Sequence, residues 1–389
     1  MFFHHPKFAA IRPIFNVLAL GLGISLFSAP ALAGPIEVQC APKTGLNSCI
    51  AQVCANPDGG RVLLKNGVYD ANTAAAINGL FGAPTCSGGI SIVGKGPQKT
   101  QLVSNGPNLF TGSGGITRSL NWALALGSPL GGMGPVGLRD LAITCGTPGS
   151  CPVFGASAHN AESAEVSNVK IEGFVRGFHG GSSNLVIQQS AFVGVGADNF
   201  NGRGIFVSHP FGERVENISV SNNLIRHYWR GLVAAAAKDV VVTQNAVSDA
   251  AQGVFAQDVE NNLEVSQNLV QASDLGLILN VGVFEIDPET EEFIDVGNSI
   301  AQVTQNLLVE SAIGIGLSFA KTFEAEVTVT HNLILETDSA LVFDPDVNPP
   351  NLPPVPPDVT YDPCLHEVLW EHNLVLPLSS LPEFGSCDP

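Results

Sequence analysis

The sequence has few basic residues and few large aromatic side chains other than phenylalanine. Its 389 residues include 17 Lys and Arg against 35 Asp and Glu, a formal net charge of −18. This balance argues against nucleic acid or an anionic membrane as a general partner. Only 2 Met, 3 Trp and 3 Tyr are present, whereas the 42 Gly are typical of a chain with many tight turns. No apolar run after residue 33 is long enough to predict a transmembrane helix.

The first 33 residues predict an export signal rather than part of the fold. Lys7 and Arg12 form a basic start, residues 14–27 are apolar, and Ala31–Ala33 has a small-x-small cleavage pattern. A membrane anchor is the alternative, but the apolar run is shorter than the roughly 20 residues that a spanning helix needs. We therefore predict cleavage after Ala33 and a secreted or periplasmic protein. The remaining 356 residues (389 minus 33) carry 15 basic and 35 acidic side chains, a formal charge of −20.

Eight cysteines lie beyond the predicted cleavage site, and an even count in an exported chain favours disulfide bonds. They are Cys40, Cys49, Cys54, Cys86, Cys145, Cys151, Cys364 and Cys387. Nearness in sequence pairs Cys145 with Cys151 and Cys364 with Cys387, whereas the first four allow three pairings. A zinc site is the alternative for those four, although their Cys-x4-Cys spacing without a nearby His matches poorly. We predict that the disulfides stabilise the two ends of the fold. At the carboxyl-terminal end, a disulfide would hold a tail at 381–389.

One short sequence recurs six times in the second half of the chain. It reads ISVSNNLI, VVVTQNAV, LEVSQNLV, AQVTQNLL, VTVTHNLI and VLWEHNLV, around Asn223, Asn245, Asn268, Asn306, Asn332 and Asn373. The asparagines are spaced by 22, 23, 38, 26 and 41 residues, so a unit of about 22 residues sometimes carries an insertion. Eight residues after five of them, another short apolar strand begins, four times with Gly. The unit therefore contains three short strands and three turns.

A period near 22 with alternating apolar residues and no helical stretch predicts an all-β solenoid of stacked coils. The Asn side chain at one corner can donate to one neighbouring coil and accept from the other. The repeat resembles the right-handed parallel β-helix of the pectin lyase-like superfamily, over roughly residues 60–380. The resemblance implies a single-stranded β-helix with three strands per coil and about ten to twelve coils, after an N-terminal cap at 34–59. It implies no single activity, since the superfamily holds lyases, hydrolases, esterases, epimerases and non-catalytic binders.

Three insertions follow the strand that begins at the repeated glycine position. They are Ser208–Glu216, Val281–Asn298 and Asp344–Pro363. Loops stacked along one edge would form a wall beside a groove, and functional residues concentrate on such loops. The alternative is that they are tolerated surface insertions.

An arginine precedes that glycine in three successive coils, as Arg176, Arg203 and Arg230, with both gaps equal to 27 residues. Equal register would place them about 4.8 Å apart. Like charges at this distance repel by on the order of 1 kcal/mol even in water. The corresponding positions of later coils hold Gln252, Leu275, Ile313 and Ser339, so the fold does not require arginine.

This arginine ladder predicts binding of carboxylates or sulfates along a sugar chain, because each guanidinium fork can grip two oxygens. The alternative is internal pairing with acidic residues, namely Glu172, Asp198, Glu213 and Glu216. Strict alternation along the strand would direct the arginines inward. We expect the preceding turn to direct them outward instead, because three arginines in the core would be implausible.

Other candidate residues surround the ladder. A lyase or epimerase acting on uronates needs a cation to neutralise the carboxylate and a base to remove the adjacent proton. Arg203 and Arg230 suit the first role, and His209, His227 or Lys238 the second. The candidate substrate-binding residues are Arg176, His179, Asp198, Phe206, Tyr228 and Asp258, with His179 expected to point outward beside Phe206. No cofactor is predicted firmly; Asp198 is a candidate Ca²⁺ ligand, but a single carboxylate is weak evidence.

Several catalytic signatures are absent. A hydrolase needs two carboxylates facing one bond, and Asp198 and Asp258 form no paired motif. Gln257-Asp258 resembles a segment of the pectin methylesterases, whose other signature segments are missing. The Arg-x-Pro-x-x-Arg segment of pectate lyases and the Asp-Pro-His-Asp motif of alginate epimerases are also missing. The absence of these motifs argues against assigning the chain to any one of these enzyme families.

The strand after the repeated glycine also has an apolar outward stripe, predicted at Phe206, Val233, Phe255, Ile278, Gly316 and Val342. We expect the insertion loops to cover this stripe, with binding of an apolar partner as the alternative. The sequence thus predicts an exported carbohydrate-binding or carbohydrate-processing β-helix, lyase-like or epimerase-like on an anionic polysaccharide that is uronate-rich or sulfated. The alternative is a non-catalytic binding or structural protein of the cell envelope or extracellular space.

Overall fold

The computed structural model describes residues 34–71, 75–76, 86–111, 117–127, 133–147, 149–209, 214–281, 285–286, 293–294, 299–319, 325–343 and 366–376. These residues all belong to one compact unit. No helix within them is long and apolar enough to cross a bilayer.

The described residues form short β-strands almost throughout. The first part contains β1 (Ile36–Cys40), a 3-10 helix (Pro42–Thr44), α1 (Leu46–Cys54), β2 (Gly60–Leu64), β3 (Gly67–Asp70), β4 (Ala75–Ala76), β5 (Ile90–Val93), β6 (Thr100–Ser104), β7 (Asn108–Thr111), β8 (Thr117–Leu120) and β9 (Trp122–Gly127). The middle contains β10 (Val136–Cys145), β11 (Phe154–His159), β12 (Ala164–Phe174), β13 (Arg176–Gly181), β14 (Leu185–Gln188), β15 (Ala191–Gly194), β16 (Arg203–Val207), β17 (Val215–Ser221), β18 (Leu224–Arg226) and β19 (Arg230–Thr243). The last part contains β20 (Ala246–Ser266), β21 (Leu269–Val281), β22 (Glu285–Ile286), β23 (Phe293–Ile294), β24 (Ser299–Thr304), β25 (Leu307–Val309), β26 (Ile313–Phe319), β27 (Ala325–Thr330), β28 (Leu333–Leu335), β29 (Ser339–Phe343), β30 (His366–Glu371) and β31 (Leu374–Leu376).

Parallel pairing between successive coils builds three sheets, which we call A, B and C. Sheet A contains β1, β2, β5, β10, β12, β14, β17, β19, β20, β24, β27 and β30. Sheet B contains β3, β6, β10, β12, β15, β18, β20, β21, β25, β28 and β31. Sheet C contains β4, β9, β11, β13, β16, β19, β20, β21, β26 and β29. The longer strands turn corners and therefore belong to more than one sheet.

This arrangement confirms the predicted parallel β-helix with three strands per coil. Sheet A passes through twelve coils of the described chain, which agrees with the ten to twelve that were predicted. Two antiparallel pairs, β7 with β8 and β22 with β23, lie outside the three sheets. The inward side chains of all three sheets form one continuous apolar core.

The asparagine ladder lies at the corner between sheets A and B. The Oδ1 atom of Asn268 accepts from the backbone N–H of Asn245 at 2.9 Å, and its Nδ2 atom donates to the carbonyl of Val242 at 2.9 Å. The same pattern links Asn223, Asn245, Asn268, Asn306, Asn332 and Asn373. The residue directly before each of them adopts φ between 55° and 58°. The ladder therefore satisfies the backbone of a tight, left-handed corner, as the sequence predicted.

Glycine recurs at the start of the sheet C strands because neighbouring backbones approach closely there. A Cβ atom added to Gly253 would collide with the Val270 side chain and with the carbonyl oxygen of Gly276. At Gly314 the same atom would lie 2.9 Å from the carbonyl oxygen of Ala340, a tight but less severe contact. In the next coil the chain has Ala340 itself at this position.

We expect Gly253→Ala to lower the free energy of unfolding by about 1–3 kcal/mol, the usual cost of forcing an extra carbon into a packed site. Urea unfolding followed by circular dichroism measures this loss. Gly314→Ala is the matched control and should cost less, because its neighbours lie farther away. Equal losses for the two variants would contradict the close-approach explanation.

The amino-terminal segment 34–59, predicted as a cap, contains α1. It also contains β1, which pairs with β2 and so already belongs to sheet A. The role of this segment as a cap, and the predicted boundaries of the export signal and tail, stay predictions.

Three disulfides lie in the described residues. They join Cys40 to Cys49, Cys54 to Cys86 and Cys145 to Cys151. The last pairing was predicted, and the first two choose one of the three arrangements that the sequence left open. The predicted pair Cys364–Cys387 lies outside the described residues. The three bonds fit folding in an oxidising compartment.

Candidate functional site

The three ladder arginines occupy equivalent positions in successive strands of sheet C. Arg176 is the register partner of Arg203, and Arg203 is the register partner of Arg230. Adjacent strands of a sheet lie about 4.8 Å apart. The prediction that Arg176, Arg203 and Arg230 stack in consecutive coils is therefore confirmed.

The arginines point outward because the glycine after each of them faces the core, as does the residue after the glycine. A Cβ on Gly177 would face Phe192, and a Cβ on Gly204 would face Ile225, both in the core. Phe178, the residue after Gly177, is also in the core. Two consecutive inward residues reverse the alternation, so the arginine before them faces out. The preceding turn, which we expected to do this, is not the cause.

Each guanidinium group lies over an aromatic ring. The Cζ atom of Arg176 lies 4.9 Å from the ring centre of Phe154, and that of Arg203 lies 4.3 Å from Phe206. Arg230 contacts two rings, with its Cζ atom 4.4 Å from Trp229 and 4.1 Å from Phe255. Rings can partly compensate a cation in this way, by about 0.5–2 kcal/mol.

Hydrogen bonds fix two of the three side chains. The Nε atom of Arg176 donates to the backbone carbonyl of Asn201 at 3.1 Å, and Nε of Arg230 donates to the side-chain oxygen of Gln252 at 2.6 Å. The Nε atom of Arg203 is buried and has no partner among the described residues. No terminal nitrogen of the three is both buried and unpaired. The Nη atoms of these half-buried side chains are therefore at least partly accessible to solvent.

Three of the four acidic residues proposed as internal partners lie in the described residues, and they do not pair with the ladder. In the described residues, Glu172 pairs with Lys170 and Glu216 lies 4.0 Å from Lys238. Asp198 is exposed, and Glu213 lies outside the described residues. No described carboxylate lies within ion-pair distance of the three guanidinium groups. The alternative of internal charge pairing is thus not supported for Glu172, Asp198 and Glu216, whereas for Glu213 it stays untested.

Burial and mutual repulsion act on the ladder. Burial, followed by the charge of Arg176, lowers the pKa of Arg203 to about 10. Burial, followed by the charge of Arg203, lowers the pKa of Arg230 to about 10. Burial also lowers the pKa of Arg176. All three remain cationic at neutral pH, and a bound anion would relieve the repulsion between them.

Further aromatic rings and imidazoles lie next to the ladder on the strands of sheet C. His179 stacks between Phe154 and Phe206, with ring centres 5.4 Å and 4.6 Å away, and Nε2 lies 3.1 Å from the carbonyl oxygen of Ser208. This confirms the predicted outward orientation beside Phe206. The ring of His159 meets that of His179 edge-on at 4.4 Å. We call these four residues, His159, His179, Phe154 and Phe206, the ring stack.

Both imidazoles of the ring stack are deeply buried. His159 is 3% exposed, and neither of its ring nitrogens has a hydrogen-bond partner in the described residues. Burial, followed by the charge of His209, lowers the pKa of His159 to about 4. Burial, followed by the charge of His159, lowers that of His179 still further. These imidazoles are neutral at physiological pH and closed to a ligand.

The three predicted base candidates are each engaged elsewhere. His209 is buried, and its Nε2 atom lies 2.5 Å from the side-chain oxygen of Asn160. His227 is half-exposed, with Nδ1 3.7 Å from a carboxylate oxygen of Asp249. Lys238 lies beyond the next corner of β19, 3.7 Å from Glu260 and 4.0 Å from Glu216. No hydrogen bond or ion pair within the described residues joins any of them to the ladder arginines.

Two predicted substrate-binding residues are structural. Tyr228 is 0% exposed and lies in the core, so it cannot contact a ligand outside the coil. Asp258 accepts from Nη2 of Arg214 at 2.9 Å, and its backbone carbonyl accepts from Nη1. This pairing holds Asp258 in a left-handed corner with φ 58°. Asp258 is therefore engaged in an internal ion pair.

Part of the predicted apolar stripe is buried, and its predicted cover by the insertion loops stays a prediction. Val233, Phe255 and Ile278 are 0–3% exposed and form a cluster of their own outside the coil, together with Leu275. Phe206 packs against this cluster. These buried residues therefore support the aromatic rings beneath the arginines and do not form an exposed apolar surface.

The sequence analysis missed two of the four rings that support the arginines. Phe154 lies one coil before Arg176 in the same register, and Trp229 directly precedes Arg230. A regular 22-residue spacing to Arg176 was the available signal for Phe154. No group of three metal-ligating side chains occurs in the described part of the chain. Asp198 therefore has no described partners for the Ca²⁺ site that was considered.

Comparison with solved structures shows what the fold is similar to. The tailspike of E. coli bacteriophage HK620, as a double mutant, matches at a TM-score of 0.54 and 14% identity, over 87% of this chain and 64% of the tailspike. An alginate lyase from Paenibacillus sp. str. FPU-7 matches at 0.46 and 13% identity, over 87% and 99%. A lacto-N-biosidase from Eubacterium ramulus matches at 0.45 and 12% identity, over 87% and 67%.

No protein-family model matches the sequence, and no curated protein matches it. The structural matches share little sequence with this chain. Of the three, the tailspike match has a TM-score above 0.5, and it supports the parallel β-helix fold alone.

Proposed function

We propose that this chain is an exported carbohydrate-active β-helix that binds an acidic polysaccharide along Arg176, Arg203 and Arg230. One observation carries this proposal: three outward guanidinium groups occupy one register position in consecutive coils without a described carboxylate partner. Such a row of cations costs free energy unless an anion lies against it. A chain of carboxylated or sulfated sugars supplies anions at a regular spacing.

The surroundings of the row favour a polymer over a single small anion. Aromatic rings beneath the guanidinium groups hold them in place and exclude water from one side, which strengthens charge-assisted hydrogen bonds on the other. Phe200 is 52% exposed and meets the ring of Trp229 edge-on at 5.7 Å. This exposed ring packs against Trp229, over which the guanidinium group of Arg230 lies. It offers an apolar surface to the C–H face of a sugar.

Proton abstraction beside a uronate carboxylate, as in a lyase or an epimerase, is the second hypothesis. The arginines would neutralise the carboxylate, but a base must also lie close by. His209 follows β16, which begins at Arg203, and is the candidate base, although it is already hydrogen-bonded to Asn160. Binding without chemistry is therefore the function that the described geometry supports better.

We expect the protein to bind uronate polymers such as polygalacturonate, and to bind them more weakly as salt is raised. The variant with both Arg203→Gln and Arg230→Gln should lose at least tenfold in affinity, since each charge-assisted hydrogen bond contributes about 1.5–3 kcal/mol. Titration calorimetry measures the affinity. Ultraviolet absorbance of unsaturated products, with chromatography of the sugars, tests for cleavage or epimerisation in the same samples.

Arg61→Gln is the matched control, because Arg61 is an exposed arginine on sheet A that pairs with Glu37. Its affinity should equal that of the wild type. Undiminished binding by the double variant, or equal binding of a neutral polymer, would refute the proposal. Product formation that requires His209 would instead support the second hypothesis, in which the protein is an enzyme.

A further inference from the structure

A second cleft lies on sheet B, away from the arginine ladder. It has a volume of about 880 Å³ and is lined in part by Lys95, Lys99 and Lys170. The chain has only seven lysines after residue 33, so three of the seven meet in one cleft. In a chain with 35 acidic residues, this concentration of positive charge is unusual.

The floor of the cleft is one register row that crosses five coils. Its members, in order along the stack, are Gln101, Ala142, Lys170, Ala191 and Leu224. Four strand spacings of about 4.8 Å make this row roughly 19 Å long. The alanines on either side of Lys170 leave the row open to a ligand, because their side chains are short. The cleft therefore fits an elongated ligand.

An expanded corner supplies the wall and two of the lysines. One residue, Asp140, separates Arg139 from Leu141 at the corner of β10, whereas six residues (94–99) separate the equivalent Val93 and Thr100. The five extra residues overhang the floor. The backbone N–H of residue 96 donates to the carbonyl of Asp140 at 2.7 Å, and residue 99 closes back onto residue 96. The overhang is thus tied to the neighbouring coil.

The charge in the cleft is mostly uncompensated. Lys170 pairs with Glu172 at 2.5 Å, and Glu172 is the one acidic residue in the described lining. Lys95 and Lys99 are exposed, and neither ammonium group has a carboxylate partner in the described part of the chain. A net positive cleft on a negative protein selects an anion by electrostatic complementarity.

The remaining lining indicates a hydroxylated ligand. Amide and hydroxyl side chains, including Gln101, Thr144, Asn168, Gln189 and Asn222, can each donate to or accept from sugar hydroxyls. No aromatic side chain occurs in the described lining, so bases of a single-stranded nucleic acid would find no stacking platform. The net charge of the chain also opposes a polyphosphate.

We infer that the sheet B cleft binds a short acidic oligosaccharide, with Lys95, Lys99 and Lys170 holding its carboxylates. This site is separate from the ladder, so it does not depend on the function proposed for Arg176, Arg203 and Arg230. The protein would then contact acidic glycan at two faces.

The test is calorimetric titration of the purified protein with a trigalacturonate, a neutral glucose trisaccharide and inorganic sulfate. The variant with both Lys95→Gln and Lys99→Gln should bind trigalacturonate at least tenfold more weakly. Lys43→Gln, an exposed lysine outside the cleft, should bind it like the wild type.

Labelling of lysine amines gives a second readout. Bound trigalacturonate should protect Lys95 and Lys99 from acetylation, detected by peptide mass spectrometry, while Lys43 reacts as before. Unchanged affinity in the lysine variant, or no saturable binding, would overturn the inference. Equal affinity for the neutral trisaccharide would also overturn it, as would sulfate binding as tightly as trigalacturonate.

Discussion

Replacement of Asn268 by alanine is expected to lower the free energy of unfolding by about 3 to 5 kcal/mol, which is large for one substitution. Asn268 is 1% exposed, and its side chain bonds the coils on both sides. Its loss would leave the buried N–H of Asn245 without its acceptor and the carbonyl of Val242 without its donor. Each buried group left unpaired costs about 1–3 kcal/mol.

Asn373 is the matched control for this change. It belongs to the same ladder, accepting from Asn332 at 2.9 Å and donating to Val329 at 2.7 Å, but it is only partly buried. Water can replace its bonds, so Asn373→Ala should cost about 1 kcal/mol. Urea unfolding measures both variants, and hydrogen exchange should place the loss at the coils next to Asn268. A small, equal cost at both positions would show that the ladder is not a main source of stability.

Acidification is expected to destabilise the protein through the ring stack. The pKa of His159 is about 4 in the folded chain, against about 6.5 in an unfolded one. Below about pH 6.5 the unfolded chain therefore binds a proton that the folded chain does not. Stability contributed by this residue should fall by about 3 kcal/mol as the pH falls from about 6.5 to 4. Burial of His179 acts in the same direction.

His159→Phe isolates this effect, because phenylalanine suits the aromatic surroundings and does not titrate. Its thermal midpoint should decline less than that of the wild type between pH 7 and pH 4. His227→Gln, a change at a half-exposed histidine paired with Asp249, serves as the control and should leave the decline almost as steep. Identical pH slopes for the wild type and His159→Phe would exclude His159 as the cause.

The repeat itself predicted which residues become vertical neighbours. In stacked parallel coils, residues at the same phase of the repeat superpose, so the 27-residue gaps between Arg176, Arg203 and Arg230 were enough to place them in one row. The asparagine ladder followed from the same reasoning, because its corner lacks other partners. Regular spacing thus carried information about both fold and register.

Proximity in sequence was a poor guide to the site where the chain turns a corner. Tyr228 lies two residues before Arg230, yet it fills the core while the arginine faces out. Lys238 follows Arg230 by eight residues, yet it lies past the next corner beside Glu216 and Glu260. The strict alternation of inward and outward residues breaks at consecutive inward residues and at corners, and the one-dimensional pattern does not state where these breaks occur.

The sheet B cleft had no signal in the repeat at all. It combines an expanded corner at 94–99 with short side chains at Ala142 and Ala191, in coils before the regular repeats begin. Each feature alone is an ordinary surface residue or turn. Only the stacking of five coils brings them onto one floor.

The sequence by itself determined the coil, its three strands, the asparagine ladder and the row of arginines, because all of these are encoded in a period. The tertiary structure decided which side chains face outward, which rings lie beneath the arginines, and that a lysine-lined cleft exists on another face. Those features depend on bulges, corners and contacts between coils, which have no fixed spacing along the chain.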